Sequence, residues 1–176
     1  MNFTAALALV MLQQAPSQDV DWAAEFGVEE VERDPVTGEL PVDPYEQHNA
    51  NAGAAPFAGD SMADAFGGQD GIRAVVARFV ELNVEDPRIG DIFVSHDRVR
   101  LERTLFEQFC YILAAGCDYT GRDMKASHEG LGIRKADMNA LVENLQKAMR
   151  EQNIPFAQQN RFLAKLAPMS GDVIER

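Results

Sequence analysis

Basic residues are nearly missing from the first third of this 176-residue chain: residues 1–65 hold twelve Asp or Glu against a single Arg33, and so carry −11 of the formal net charge of −12. The remaining 111 residues set sixteen acids against fifteen bases. Neither part has the basic stripe that nucleic-acid phosphates require, so DNA and RNA are excluded as partners. Long apolar runs are missing too. Phe3 to Leu12 is a run of ten, about half of the ~20 residues that span a bilayer, so no transmembrane span is expected. No Lys or Arg precedes that run and Pro16 follows its small-residue exit at Gln13 to Ala15. Signal peptide and short amphipathic arm therefore both stay open, and with them periplasmic export and a cytoplasmic location. Cysteine is scarce: Cys110 and Cys117 lack CxxC spacing, and the histidines a zinc site would need lie far away in sequence. In an exported chain the two would form a small disulfide joining a helix end to the next loop, and in a cytosolic one they would be thiols, with Cys110 packed as a small hydrophobe. No segment alternates with period two for long enough to make a strand.

What is present is helical. From Asp19 to Asp64 turn-formers such as Pro35, Gly38, Pro41, Pro44, Gly53 and Pro56 alternate with acids. That pattern predicts a mostly disordered tail, with a short amphipathic helix at Val20 to Val31 carrying Trp22 and Phe26, and a solvated His48. The expected division is 1–65 for the apolar segment and acidic tail and 66–176 for a compact domain. Ile72, Val75, Val76, Phe79 and Val80 repeat on one helical face, and Pro87 closes that helix. Arg88 to Phe93 reads as a short turn bringing Ile92 and Phe93 inward. Asp97 suits an N-cap, and Leu101, Leu105, Phe109 and Ile112 follow along one face, with Val99, Phe106 and Leu113 beside it. Met138, Leu141, Val142, Leu145 and Met149 mark a third long helix, and Pro155 opens a fourth with Phe156, Phe162, Leu163 and Leu166. The fold class is all-α, four substantial helices with brief connections.

Within this frame MKASHEGLGI, Met124 to Ile133, ends a helical turn on His128 and follows it with Gly130 and Gly132. Two readings compete. A histidine there caps the last carbonyls of a helix, or it ligates a metal while the bend keeps backbone clear of a cofactor. FGGQDGIRAVVARFVELNVEDPRIGDIF, CDYTGRDMKASHEGLGI and LAKLAPM together resemble the truncated haemoglobins of the first group over residues 66 to about 170. The resemblance rests on Gly67-Gly68, the turn Asp86 to Ile89, Phe93, Tyr119 to Met124 and His128 to Ile133 at these separations.

That resemblance implies a truncated globin-like two-over-two helical sandwich around haem b, with His128 as proximal ligand to the iron. It places Phe93 against the ring and Leu101, Leu105 and Phe109 on the helix crossing the iron. Met124, Ile133, Met138 and Leu141 become candidates for the remaining walls, with ordinary core packing as the competing explanation for Met138 and Leu141. Where many truncated haemoglobins present a tyrosine hydroxyl to bound oxygen, this chain has Val80, and Leu101 and Leu105 add no polar group. The expected distal pocket is therefore dry and without a donor. A lost donor removes about 1.5–3 kcal/mol from a polar ligand, a roughly ten- to hundredfold weaker hold on oxygen. Tyr111 is expected to point sideways. His96, in the turn before the distal helix, is a surface residue or a sixth ligand, although relatives with two ligating histidines take the second from within that helix, where Thr104 stands. Arg100, Arg103, Arg122 and Lys125 are candidates to pair with the propionates. The function implied is reversible binding of a diatomic gas, oxygen, nitric oxide or carbon monoxide, served by a reductase. Alternatives are a haem enzyme consuming nitric oxide or peroxide and, from another class, a haem-free helical module that docks through its acidic tail.

Overall fold

The computed structural model describes residues 31–176; the apolar run at Phe3 and the helix expected around Trp22 and Phe26 lie outside the described residues. One compact unit runs from Arg33 to Arg176. Its helices are α1 (Ser61–Ala65), α2 (Gly68–Glu85), α3 (Gly90–Val94), α4 (Arg98–Ile112), α5 (Met124–His128), α6 (Lys135–Glu151), α7 (Phe156–Leu166) and α8 (Ser170–Val173), with single 3-10 turns at Asn49–Ala52 and Ala167–Met169. No strand occurs among the described residues.

Each long helix begins and ends for a local reason. Pro87 disfavours helical backbone at the residue before it, and Asp86 is accordingly extended at φ −75° and ψ 113°. Asp123 opens α5 by accepting the Ala126 N–H at 2.8 Å. The Asp137 carboxylate reaches back to the Arg134 N–H at 2.8 Å to start α6. Phe156 opens α7 directly after Pro155, and its ring points outward at 72% exposure, so Phe162 carries the aromatic packing of that helix.

Helix α2 packs on both α4 and α6, and α6 also meets α7, which gives two pairs of helices stacked as a sandwich. The seam is aromatic. Phe109 of α4 stacks near Phe79 of α2 at 6.2 Å and meets Phe162 of α7 edge-on at 4.9 Å, and Phe162 meets Phe66 edge-on at 5.3 Å. Offset and edge-on pairs of this kind satisfy the ring quadrupoles and add to the burial of their area. Cys110 and Cys117 form a disulfide that pins the end of α4 to its following loop.

The compact unit starts well before residue 66, which revises the division expected from the sequence. Residues 33–60 form a strap held along α4 and the loop before α5. Glu39 is only 5% exposed and pairs with Arg103 and, at 3.1 Å, with Arg100. Asp97 stands at the N-cap position of α4, but its carboxylate serves the strap, accepting from Arg33 at 2.7 Å and from the Leu40 N–H at 2.7 Å. Tyr45 donates to the Thr120 carbonyl at 3.0 Å, and Asn51 donates to that of Gly121 at 3.2 Å. His48 is exposed, as expected, and its Nδ1 accepts the Ala50 N–H at 2.9 Å.

Closing a loop of this length removes roughly 2–3 kcal/mol of chain entropy from the unfolded state. Cys117→Ser should therefore lower the unfolding free energy by about 2 kcal/mol relative to the oxidised protein in urea titrations, and equal midpoints would show that the bond carries no stability.

Candidate functional site

A cavity of about 580 Å³ lies among α4, α5 and α6, with α2, α7 and the C-terminal turns completing its lining. Its size falls within the ~300–1,000 Å³ of small-molecule and cofactor sites, and its walls are mainly aliphatic and aromatic. Of the residues expected at a cofactor, Phe93, Leu101, Leu105, Phe109, Met124, His128, Ile133, Met138 and Leu141 all line it. Val80 does not. It is completely buried in the core packing of α2, and the cavity face of that helix is formed by Phe79 and Asn83, one helical turn apart. The period of the helix located the apolar stripe correctly, but it could not tell which edge of the stripe faces an opening and which faces other helices.

His128 ends α5 with its Nδ1 2.6 Å from the Met124 carbonyl oxygen. A carbonyl only accepts, so Nδ1 carries a proton, and in the neutral ring that leaves the lone pair on Nε2. No protein group among the described residues takes up Nε2, and the ring stands in the cavity wall. Anchoring and ligation are thus compatible here: one nitrogen bonds the carbonyl of the first residue of α5 while the other is free for a metal. The turn that follows depends on Gly130 and Gly132, with φ of 80° and 64°, a region costly for side chains with a Cβ. Its exposed N–H groups are gathered by Glu175, whose carboxylate accepts from Gly130 and Gly132 at 2.6 Å each, while Glu175 and Arg176 N–H groups both reach the Ile133 carbonyl. Glu175 has no local signal in the sequence, because its partners lie more than forty positions upstream.

Polar groups on the cavity wall are few, and most are engaged. Thr104 donates to the Arg100 carbonyl at 3.0 Å, and Gln108 donates to the Ala52 carbonyl at 3.0 Å and rests against the Met124 sulfur at 3.3 Å. Tyr119 donates to the Arg122 carbonyl at 2.8 Å, and burial pushes its phenol well above the usual tyrosine value, so it stays neutral. His96 lines the cavity while remaining exposed, which places it at the mouth. Tyr111 lies off the cavity, as expected.

The cations expected near a cofactor's acidic edge are mostly claimed elsewhere. Arg100 binds Glu39 and the Leu40 carbonyl, Arg103 binds Glu39, Glu107 and Thr120, and Arg122 donates to the Asp43 carbonyl and lies over the Tyr45 ring. Lys125 is exposed on α5. None of the four is among the cavity-lining residues.

A slot of this kind between helices, walled by apolar groups and carrying one imidazole, fits a flat macrocycle with a metal centre. Comparison with known proteins agrees, since the model of the bacterial-like globins matches residues 61–175. The chain belongs to the bacterial-like globin family. Globins of this family are haem proteins, and the slot with its imidazole is where this one has room for haem. Among relatives, a group 1 truncated hemoglobin of Mycolicibacterium paratuberculosis is 26% identical over 113 residues, covering 64% of this chain and 83% of the relative. One from Nostoc commune is 22% identical over 116 residues, covering 66% and 98%. Truncated hemoglobin of Tetrahymena pyriformis in its Fe(III) form superposes with a TM-score of 0.63 at 20% identity, over 65% of this globin and 98% of that chain. The 2/2 hemoglobin of a Synechococcus species, solved in the cyanomet state with covalently attached heme, gives 0.60 at 21% identity, over 65% and 98%. These likenesses establish the fold of the globin domain. The strap before residue 61 lies outside the family match.

With Val80 sealed in the core, a larger side chain there has no opening to enter. Val80→Tyr should overpack α2 and lower stability by about 1–3 kcal/mol in denaturant unfolding; a stable variant with slowed oxygen release would instead return this position to the cavity. Glu39→Ala leaves two guanidinium groups without their buried partner and should cost about 3 kcal/mol, read from the same titration.

Proposed function

We propose that this globin holds haem b in the cavity through His128 Nε2 and binds a diatomic gas reversibly at the iron. The observation that carries this reading is the 2.6 Å contact of His128 Nδ1 with the Met124 carbonyl, which in the neutral ring leaves Nε2 free on a residue that lines an apolar cavity. When bound, the haem supplies the iron at which a small uncharged ligand coordinates.

The chain's own residues supply the setting. Phe93, Leu101, Leu105 and Phe109 are flat or branched apolar groups that keep water from the cavity, and Met124, Ile133, Met138 and Leu141 complete the lining. A dry wall of this kind protects ferrous iron from proton-assisted oxidation, which suits a reversible binder with a reductase as electron partner. Thr104 and Gln108 add little acid-base capacity, because backbone carbonyls hold their hydrogens. The Cys110–Cys117 disulfide favours an oxidising compartment for this chemistry.

His128→Ala is expected to abolish stable haem retention, measured as loss of Soret absorbance on gel filtration after haemin addition. Retention with an unaltered ferrous spectrum would remove His128 as the ligand. His96→Ala should leave the ferrous spectrum of the loaded protein unchanged, as befits a mouth residue; a shift from six- to five-coordinate bands would make it a second ligand.

A further inference from the structure

Asn83 is an amide in the last turn of the long helix α2, 1% exposed, on the cavity wall beside Phe79. A buried amide is costly unless its hydrogens find acceptors. The orientation of this one is set by a chain of contacts that begins at the surface. Arg88 grips Asp86 through Nε at 3.0 Å and a terminal nitrogen at 2.7 Å. That guanidinium, with the Arg88 N–H, holds the Asp86 carboxyl well below the usual carboxylate range, so it remains an acceptor. Asp86 Oδ2 then lies 3.0 Å from Asn144 Nδ2, and because a carboxylate cannot donate, the nitrogen of Asn144 must face it. The second hydrogen of the same nitrogen goes to Asn83 Oδ1 at 3.0 Å. Asn83 Nδ2 is thereby turned away from Asn144.

No protein acceptor among the described residues takes the two hydrogens of Asn83 Nδ2. The nitrogen is not sealed in the core either, since Arg100 Nε is the one unpaired side-chain nitrogen or oxygen cut off from all open space among those residues. The space beside Asn83 is the cavity. Unlike Thr104, Gln108 and Tyr119, which donate to backbone carbonyls, Asn83 presents a fixed pair of N–H donors with no acceptor among the described residues.

We propose that Asn83 is a hydrogen-bond donor that this cavity offers to its diatomic ligand, with Asn144 and Asp86 as the residues that position it. The proposal rests on the haem reading given above and replaces the donorless pocket expected from Val80. A donor there selects for ligands that gain negative charge on binding, dioxygen above carbon monoxide. It also gives the Asp86-Pro87-Arg88 turn a purpose besides ending α2: the turn orients an amide one turn upstream.

The test uses the full-length, haem-loaded ferrous protein, its carbon monoxide stretching band in the infrared and its oxygen dissociation rate by stopped flow. Asn83→Leu should move the band to higher frequency and speed oxygen release roughly tenfold. Asp86→Asn, which leaves Asn83 in place but frees Asn144 to turn over, should broaden the band and shift it part of the way. A loaded Asn83→Leu protein with the wild-type band and oxygen rate overturns the proposal while leaving haem binding intact. If that variant does not fold, a wild-type band in Asp86→Asn overturns it equally. Wild-type protein that takes up no haem overturns both this proposal and the reading beneath it.

Discussion

One hydrogen bond, from the His128 ring to the carbonyl one turn before it, organises the functional half of this molecule. It ties the last residue of a five-residue helix to the carbonyl of its first, and in the neutral ring it decides which nitrogen carries the proton. A helix that short has little stability of its own, so its position must be imposed from both ends. Asp123 caps its start, and after the histidine the glycine turn is tied to the last residues of the chain through Glu175. The imidazole therefore sits at a junction fixed by neighbours rather than by helix propensity.

The second constraint is an open slot in a sandwich whose helices would otherwise close on each other. Aromatic contacts among Phe66, which follows α1, and Phe79, Phe109 and Phe162 hold α2, α4 and α7 together. The strap also braces α4, with the buried Glu39 carboxylate between Arg100 and Arg103. Removing either partner of such a buried pair leaves an uncompensated charge, so the pair fixes where the strap lies more than it adds net stability. The same pairing explains why cations expected at a cofactor's edge are turned outward in this globin.

Legibility varied with the range of the interaction. The long helices and the turn at Pro87 could be argued from residues within a few positions of one another, and the apolar groups on α4 fell on the cavity side as their spacing implied. Residues 33–60 read as a tail because their composition has no local periodicity, while their order comes from α4 and the loop before α5, some sixty to eighty positions away. Val80 and Asn83 sit on one helix within a single turn, and only the packing of α4 and α6 against that helix separates a core position from a cavity position.

By itself, then, the order of residues determined the all-α class, the helix boundaries set by proline and capping side chains, and the imidazole at the glycine corner, since each follows from periodicity or from near-neighbour chemistry. Tertiary structure alone decided the capture of Arg100 and Arg103 by Glu39 and the orientation of the Asn83 amide through Asn144 and Asp86. The physical reason is one of direction. Hydrophobic burial has no preferred angle and leaves its mark as a pattern along the chain, whereas hydrogen bonds and ion pairs depend on where distant groups come to rest.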